Sequence, residues 1–186
     1  MKDLLHAALA EATALLARLG QFEPQMQHLA EAMMACWSRR GKVLTIGNGG
    51  SAADAMHFAE ELVVRFQKNR PAMAAVALLD PTVLTCAAND FGYEQVFARQ
   101  VEAQGNVGDI LVAFSTSGNS PSVVNALQTA RRRGLLTVGL LGRDGGACAA
   151  LCDIAIIVPT QTTHRIQEAH QLLYHTLCQW VDRAVG

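Results

Sequence analysis

Charge is scarce in this 186-residue chain: Asp, Glu, Lys and Arg make up 17% of it, 15 basic residues against 16 acidic. A typical soluble domain carries about 25%. The near balance removes the excess of Lys and Arg that sequence-independent nucleic-acid binding requires. Hydrophobic residues reach 51%, so the low hydrophobicity and high net charge of disordered chains are missing too. Long apolar runs are also lacking. The longest, Ala72–Leu79, falls far short of the roughly 20 residues that span a bilayer. Asp3 and Glu11 interrupt the leucines and alanines of the N-terminus, which reads as an amphipathic helix and not as a signal peptide. No CxxC occurs among Cys36, Cys86, Cys148, Cys152 and Cys178, so neither a zinc ribbon nor a redox dithiol is expected. The odd, scattered set points to small core residues in a reducing, cytoplasmic setting, and Cys148 and Cys152, four apart, read as packing. So few charges also point to surface buried against other subunits.

What is present is alternation. Leu and Ala at 4, 5, 8, 9, 12, 15, 16 and 19 have helical spacing, and Phe22, Met26, Leu29, Met33 and Trp37 continue it in a second helix that Gly41 ends. Five short apolar runs follow: Val43–Ile46, Met73–Leu79, Ile110–Phe114, Leu136–Leu141 and Ile154–Val158. Helical stretches separate them, near 51–67, 81–88, 92–104, 121–133 and 146–151, with a last one over about 164–184. Strands apolar on both sides are covered on both faces. Alternation of strand and helix gives parallel pairing with right-handed crossovers. The expectation is one domain, 1–186: a helical pair over 1–40 as an oligomer interface, then an α/β core over 41–186. That core is a three-layer α/β/α sandwich on a five-stranded parallel sheet, with ligands beyond the carboxyl ends of the strands.

Two strand-to-helix turns could hold a phosphate. Gly47-Asn48-Gly49-Gly50-Ser51 is neither GxGxxG nor a Walker loop, but its glycines allow close backbone approach to a ligand. Ser115-Thr116-Ser117-Gly118-Asn119-Ser120-Pro121 has hydroxyls where a strand end would favour apolar groups. Helix capping accounts for Ser120 and Pro121 alone. Hydroxyls and helix-terminal amides together suit a dianion without lysine.

His57 and Glu61, four apart, share a helix face after the first turn. Gln167 and His175 can converge from successive turns of the last helix, while His164 and His170 lie elsewhere on it. An imidazole and a carboxylate beside a phosphosugar supply proton transfer. Two His, one Glu and an amide oxygen could also complete a zinc site. Spacing leaves open whether the two helices meet within one subunit or between two. Arg65, one turn beyond Glu61, could pair with an anion. Asn89-Asp90-Phe91-Gly92 ends a helix. Arg131-Arg132-Arg133 before Gly134 suits a helix C-terminus better than a nucleic acid.

In this order, Gly47–Ser51, His57–Leu62, Asn89–Gly92, Ser115–Ser120 and Arg165–Glu168 with His175 resemble the sugar isomerase (SIS) domain family over nearly the whole chain. Within it they are most similar to the branch that isomerises seven-carbon sugar phosphates. The resemblance implies a SIS, flavodoxin-like fold and an aldose–ketose isomerase turning D-sedoheptulose 7-phosphate into D-glycero-D-manno-heptose 7-phosphate for lipopolysaccharide. It implies a cytoplasmic homotetramer with active sites at subunit interfaces. Ser115, Thr116, Ser117 and Ser120 would hold the phosphate. Asn48, Gly49, Gly50, Ser51, Asn89, Asp90 and Gln167 would line the sugar site, with Arg65 nearby. Glu61 and His175 would be the acid–base pair, and His57, Glu61, Gln167 and His175 the ligands of one zinc per subunit. His164 departs from the family pattern. Two rival functions keep the fold but not the reaction: an interaction protein that binds the replication initiator, and a phosphosugar-sensing module. Glu61 and His175 favour the enzyme, because the interaction protein lacks both.

Overall fold

The computed structural model describes residues 1–186. Helices α1 (Lys2–Leu16) and α2 (Glu23–Ser38), joined by a 3₁₀ turn at Leu19–Phe22, precede β1 (Val43–Gly47). Then come α3 (Gly50–Val63), β2 (Ala75–Ala77), α4 (Pro81–Phe91), α5 (Val96–Gln104), β3 (Ile110–Ser115) and α6 (Pro121–Arg132). The chain ends with β4 (Leu136–Gly142), α7 (Gly146–Ala149), β5 (Ile154–Val158) and α8 (Thr163–Val185). All strand pairs are parallel, in the order β2-β1-β3-β4-β5. Strand order therefore reverses between β1 and β3, and the crevice beyond their carboxyl ends is where such sheets bind ligands.

Period-two alternation divides the sheet between two cores. Val43, Ile110, Val112, Phe114, Leu140 and Ile156 face α2, α3 and α8, while Leu44, Ile46, Leu111, Ala113 and Leu141 face α5 and α6. Every residue of β1 and β3 is buried, as expected of a sheet covered on both faces. Thr45 is the polar exception in β1, and its hydroxyl donates to the Ala55 carbonyl (2.8 Å), fastening α3 to the strand. Helix α1 docks mainly through Leu15 and through Glu11, which accepts from Arg165 of α8 at 3.3 Å. Most of its leucines face outward: Leu4 is 72% and Leu9 54% exposed.

Two expectations need correction. The second strand is not Met73–Leu79 but only Ala75–Ala77. Met73 and Leu78 are buried in opposite cores, so the apolar run reflects packing on both faces and not a long ladder. The helix expected over 51–67 stops at Val63, because the Arg70 guanidinium takes the carbonyls that close it. Arg70 donates to Glu61 O at 2.7 Å and Leu62 O at 2.9 Å, and its Nε donates to Asp182 of α8 at 2.8 Å.

The Arg70–Asp182 pair is buried on both sides, at 0% and 2% side-chain exposure. Burial alone would raise the Asp182 carboxyl, but the Gln67 and Lys68 amides and the Arg70 guanidinium outweigh it and hold it below the ordinary value. A depressed folded-state pKa adds stability at pH above the ordinary carboxylate range, lost as pH falls through the folded value. Asp182→Asn leaves a buried guanidinium without its counter-charge and is expected to cost about 3–5 kcal/mol in denaturant unfolding. Melting curves below about pH 4 should show the wild type losing this increment, with the variant flatter over the same window.

Candidate functional site

The turn after β1 is shaped by two glycines for different reasons. Gly49 has φ +57° and ψ −124°, a region closed to L side chains, with open space around it. At Gly50 a Cβ would meet the Gln167 side-chain amide of α8, which would have to move aside. The last helix therefore lies directly on the first turn. Asn48 is held from both ends: its Oδ1 accepts from Tyr93 Oη (2.7 Å) and its Nδ2 donates to Ser122 Oγ (3.0 Å).

Across the β1–β3 crevice, Ser115 Oγ accepts from the Gly118 amide (3.0 Å) and Ser117 Oγ from the Asn119 amide (3.2 Å). Ser120 is the N-cap residue of α6 and Pro121 opens the helix. Asn48, Ser51, Ser115, Thr116, Ser117 and Ser120 line a polar hollow of about 110 Å³ with Phe114 at its floor. The N-termini of α3 and α6 flank it, and no lysine or arginine lines it. Neutral donors at two helix ends make this a place for a compact anion.

A second cluster sits where α3 and α8 cross. Ligand-type atoms of His57, Glu61 and His175 all lie within 4.8 Å of one another. His57 Nε2 is 3.2 Å from Glu61 Oε1, and His57 Nδ1 is 2.9 Å from Tyr174 Oη. The His57 and His175 rings stand edge to face at 5.0 Å. His175 Nε2 is buried without a hydrogen-bond partner. Burial, then the neighbouring His57, pull the His175 imidazole below its ordinary pKa, and Glu61 opposes them. An orphaned imidazole nitrogen beside a second imidazole and a carboxylate is a donor set that fits a divalent transition metal such as zinc. The two helices thus meet within one chain, and Gln167, which lies against Gly50, stands about two turns before His175 and about 80° round the helix from it.

Not every expected residue joins these clusters. Arg65 is exposed and donates to Asn69 Oδ1 at 3.1 Å. Asn89 and Asp90 are exposed at the end of α4 and bond to each other at 2.8 Å. His164 is exposed, whereas His170 is fully buried, bonds the Leu141 carbonyl at 3.1 Å and is lowered by burial to about 4. Arg131 reaches the Leu151 carbonyl and Arg133 the Gly105 carbonyl, in keeping with a structural part for the arginine run. All five cysteines are free, and burial pushes the thiols of Cys148 and Cys152 up to about 11 and about 12, which suits packing.

Two residues of the cluster escaped the sequence reading. Tyr174 is wholly buried. Asp54 lies one turn before His57 on the same face. Its Oδ2 is buried without a partner, and burial raises the carboxyl to about 6 against the pull of His57. The i, i+3, i+7 spacing of Asp54, His57 and Glu61 was the available signal.

No helix is long and apolar enough to cross a membrane. A model of the SIS domain matches residues 9–142. The chain is 48% identical over 163 residues to a phosphoheptose isomerase of Pelobacter propionicus, covering 87% of this chain and 86% of that one. It is 53% identical over 158 residues to that of Desulfovibrio desulfuricans, covering 84% and 75%. The solved phosphoheptose isomerase of Neisseria gonorrhoeae superposes with a TM-score of 0.91 at 40% identity, over 98% of each chain. With the hollow at the carboxyl end of a flavodoxin-ordered sheet and the His–Glu–His cluster on α3 and α8, these likenesses show that the chain belongs to the SIS domain family and, within it, to the phosphoheptose isomerases.

Proposed function

We propose that the protein converts D-sedoheptulose 7-phosphate to D-glycero-D-manno-heptose 7-phosphate by enediol proton transfer, in the cytoplasm, for the heptose of lipopolysaccharide. The observation that carries this reading is the His57–Glu61–His175 cluster, two of whose members stand on α3, the helix whose first turn walls the anion hollow. From Ser51 to His57 is six residues, about 9 Å along the axis. That span is on the scale of an extended seven-carbon chain with its phosphate at one end and its carbonyl at the other.

In this reading Ser115, Thr116, Ser117 and Ser120 hold the phosphate. Asn48, Gly49, Gly50, Ser51 and Gln167 line the sugar chain. Glu61 takes a proton from C1 of the ketose and returns it to C2. His175, kept neutral by burial, passes protons between the O1 and O2 oxygens. His57, Glu61, His175 and Gln167 would hold zinc, which when bound supplies Lewis-acid polarisation of the carbonyl. Arg65, Asn89 and Asp90, exposed in one chain, complete the site in a homotetramer. The outward leucines of α1 support such an assembly, as does an apolar groove of about 450 Å³ between α2 and α8 that Met26, Leu172 and Trp180 help to line.

The test is incubation with sedoheptulose 7-phosphate in heavy water. The expected product is an aldose carrying deuterium at C2. Binding without turnover would instead support a sensing module, and capture of a protein partner without turnover would support a scaffold.

A further inference from the structure

Tyr174 is an expensive residue to bury for packing alone, because its hydroxyl must find a partner. Its ring is gripped by Phe58, Phe114 and His175, with centroids at 5.6, 6.0 and 4.7 Å, so the phenol cannot swing away. Its Oη meets His57 Nδ1 at 2.9 Å, and the other nitrogen of that ring meets Glu61 at 3.2 Å.

The chemistry of the three groups decides where the protons sit. An ionised carboxylate only accepts, so His57 Nε2 carries the hydrogen and donates to Glu61. Nδ1 of the neutral ring is then an acceptor, and the tyrosine donates to it. If Nε2 instead gives its electron pair to a metal ion, the ring proton must move to Nδ1, and the partner there must accept. A carbonyl or carboxylate, common behind metal-binding histidines, can only accept and would fix one tautomer. A hydroxyl can do either. Besides His57, the Gln171 side chain is the hydrogen-bonding group beside the phenol and can take the hydroxyl proton when it turns, while Asp54, Cys178 and Glu61 act on it through charge.

We infer that Tyr174 is a positioning residue for His57 whose hydroxyl accommodates both imidazole tautomers, letting Nε2 face Glu61 as a proton donor or a divalent metal ion as a ligand. This rests on the isomerase reading of the cluster.

Tyr174→Phe keeps the packed ring and removes one oxygen. Nitrogen-15 spectra of the metal-free wild type should show His57 as the Nε2–H tautomer, with Glu61 as its acceptor; an Nδ1–H ring there would overturn the inference. Competition titration with a chelator should show zinc affinity falling about 10- to 100-fold, with kcat at limiting zinc falling and KM unchanged. Because the chain has only two tyrosines, fluorotyrosine labelling in a Tyr93→Phe background isolates the Tyr174 fluorine signal, which should move when zinc is added. Unchanged zinc affinity in Tyr174→Phe overturns the inference, as does a fluorine signal that zinc leaves in place. A wild type that neither binds zinc nor turns over substrate overturns the isomerase reading instead, and the metal-free tautomer measurement still judges Tyr174.

Discussion

Glu61→Gln is expected to fold normally, to keep its affinity for the sugar phosphate, and to lose about 100- to 10,000-fold in kcat, the usual weight of one acid–base group. The amide is nearly the same size as the carboxyl, and Glu61 lies on the body of α3, whose closing carbonyls remain held by Arg70. What disappears is the carboxylate assigned to take a proton from carbon and hand it to the adjacent carbon. Steady-state rates report the loss. Deuterium exchange at C1 of the ketose locates it, because a variant slowed in proton abstraction loses exchange and turnover together. Unaltered exchange would remove Glu61 from that role.

Ser120→Asp should act at the opposite end of the substrate, and on KM. Ser120 is the N-cap residue of α6 and lines the anion hollow. Aspartate is as good an N-cap as serine, so the helix start and the fold should survive. A unit negative charge about 4 Å from the phosphate costs on the order of 4 kcal/mol at an effective dielectric constant near 20. Screening by water and salt trims this. KM should therefore rise about 100- to 1,000-fold, less at high ionic strength, with melting temperature held. Ser120→Asn, a neutral cap, should restore most of the affinity. Equal KM values for the two variants would place the phosphate elsewhere.

The parts of this molecule legible in the sequence are those whose cause is local. β1 and β3 announced themselves by continuous apolar runs, because a strand covered on both faces has no polar alternation to show. The turns at 47–51 and 115–121 were readable because glycines and hydroxyls at strand ends have few other uses. The His57–Glu61 pair followed from helical spacing. Its meeting with His175 did not, because it depends on how α3 crosses α8, a property of packing across more than a hundred residues of sequence. Tyr174 was hidden because one buried oxygen on an aromatic ring leaves no trace in an apolar pattern. Arg70 and Asp182 were missed for the same reason: each reads as a surface charge until the other is brought beside it. Met73–Leu79 misled because burial in two different cores produces the same run of letters as a strand.

The brevity of β2 has a consequence for how this chain behaves when crowded. It borders the sheet, pairs with its neighbour over only Ala75–Ala77, and is followed after two leucines by Asp80 and Pro81. An open flank of three residues is too short to template the lateral addition of a foreign strand. That border is thereby guarded against amyloid-like growth, and copies that meet there at high concentration must do so through side-chain surfaces, where fit and not backbone stickiness selects the partner.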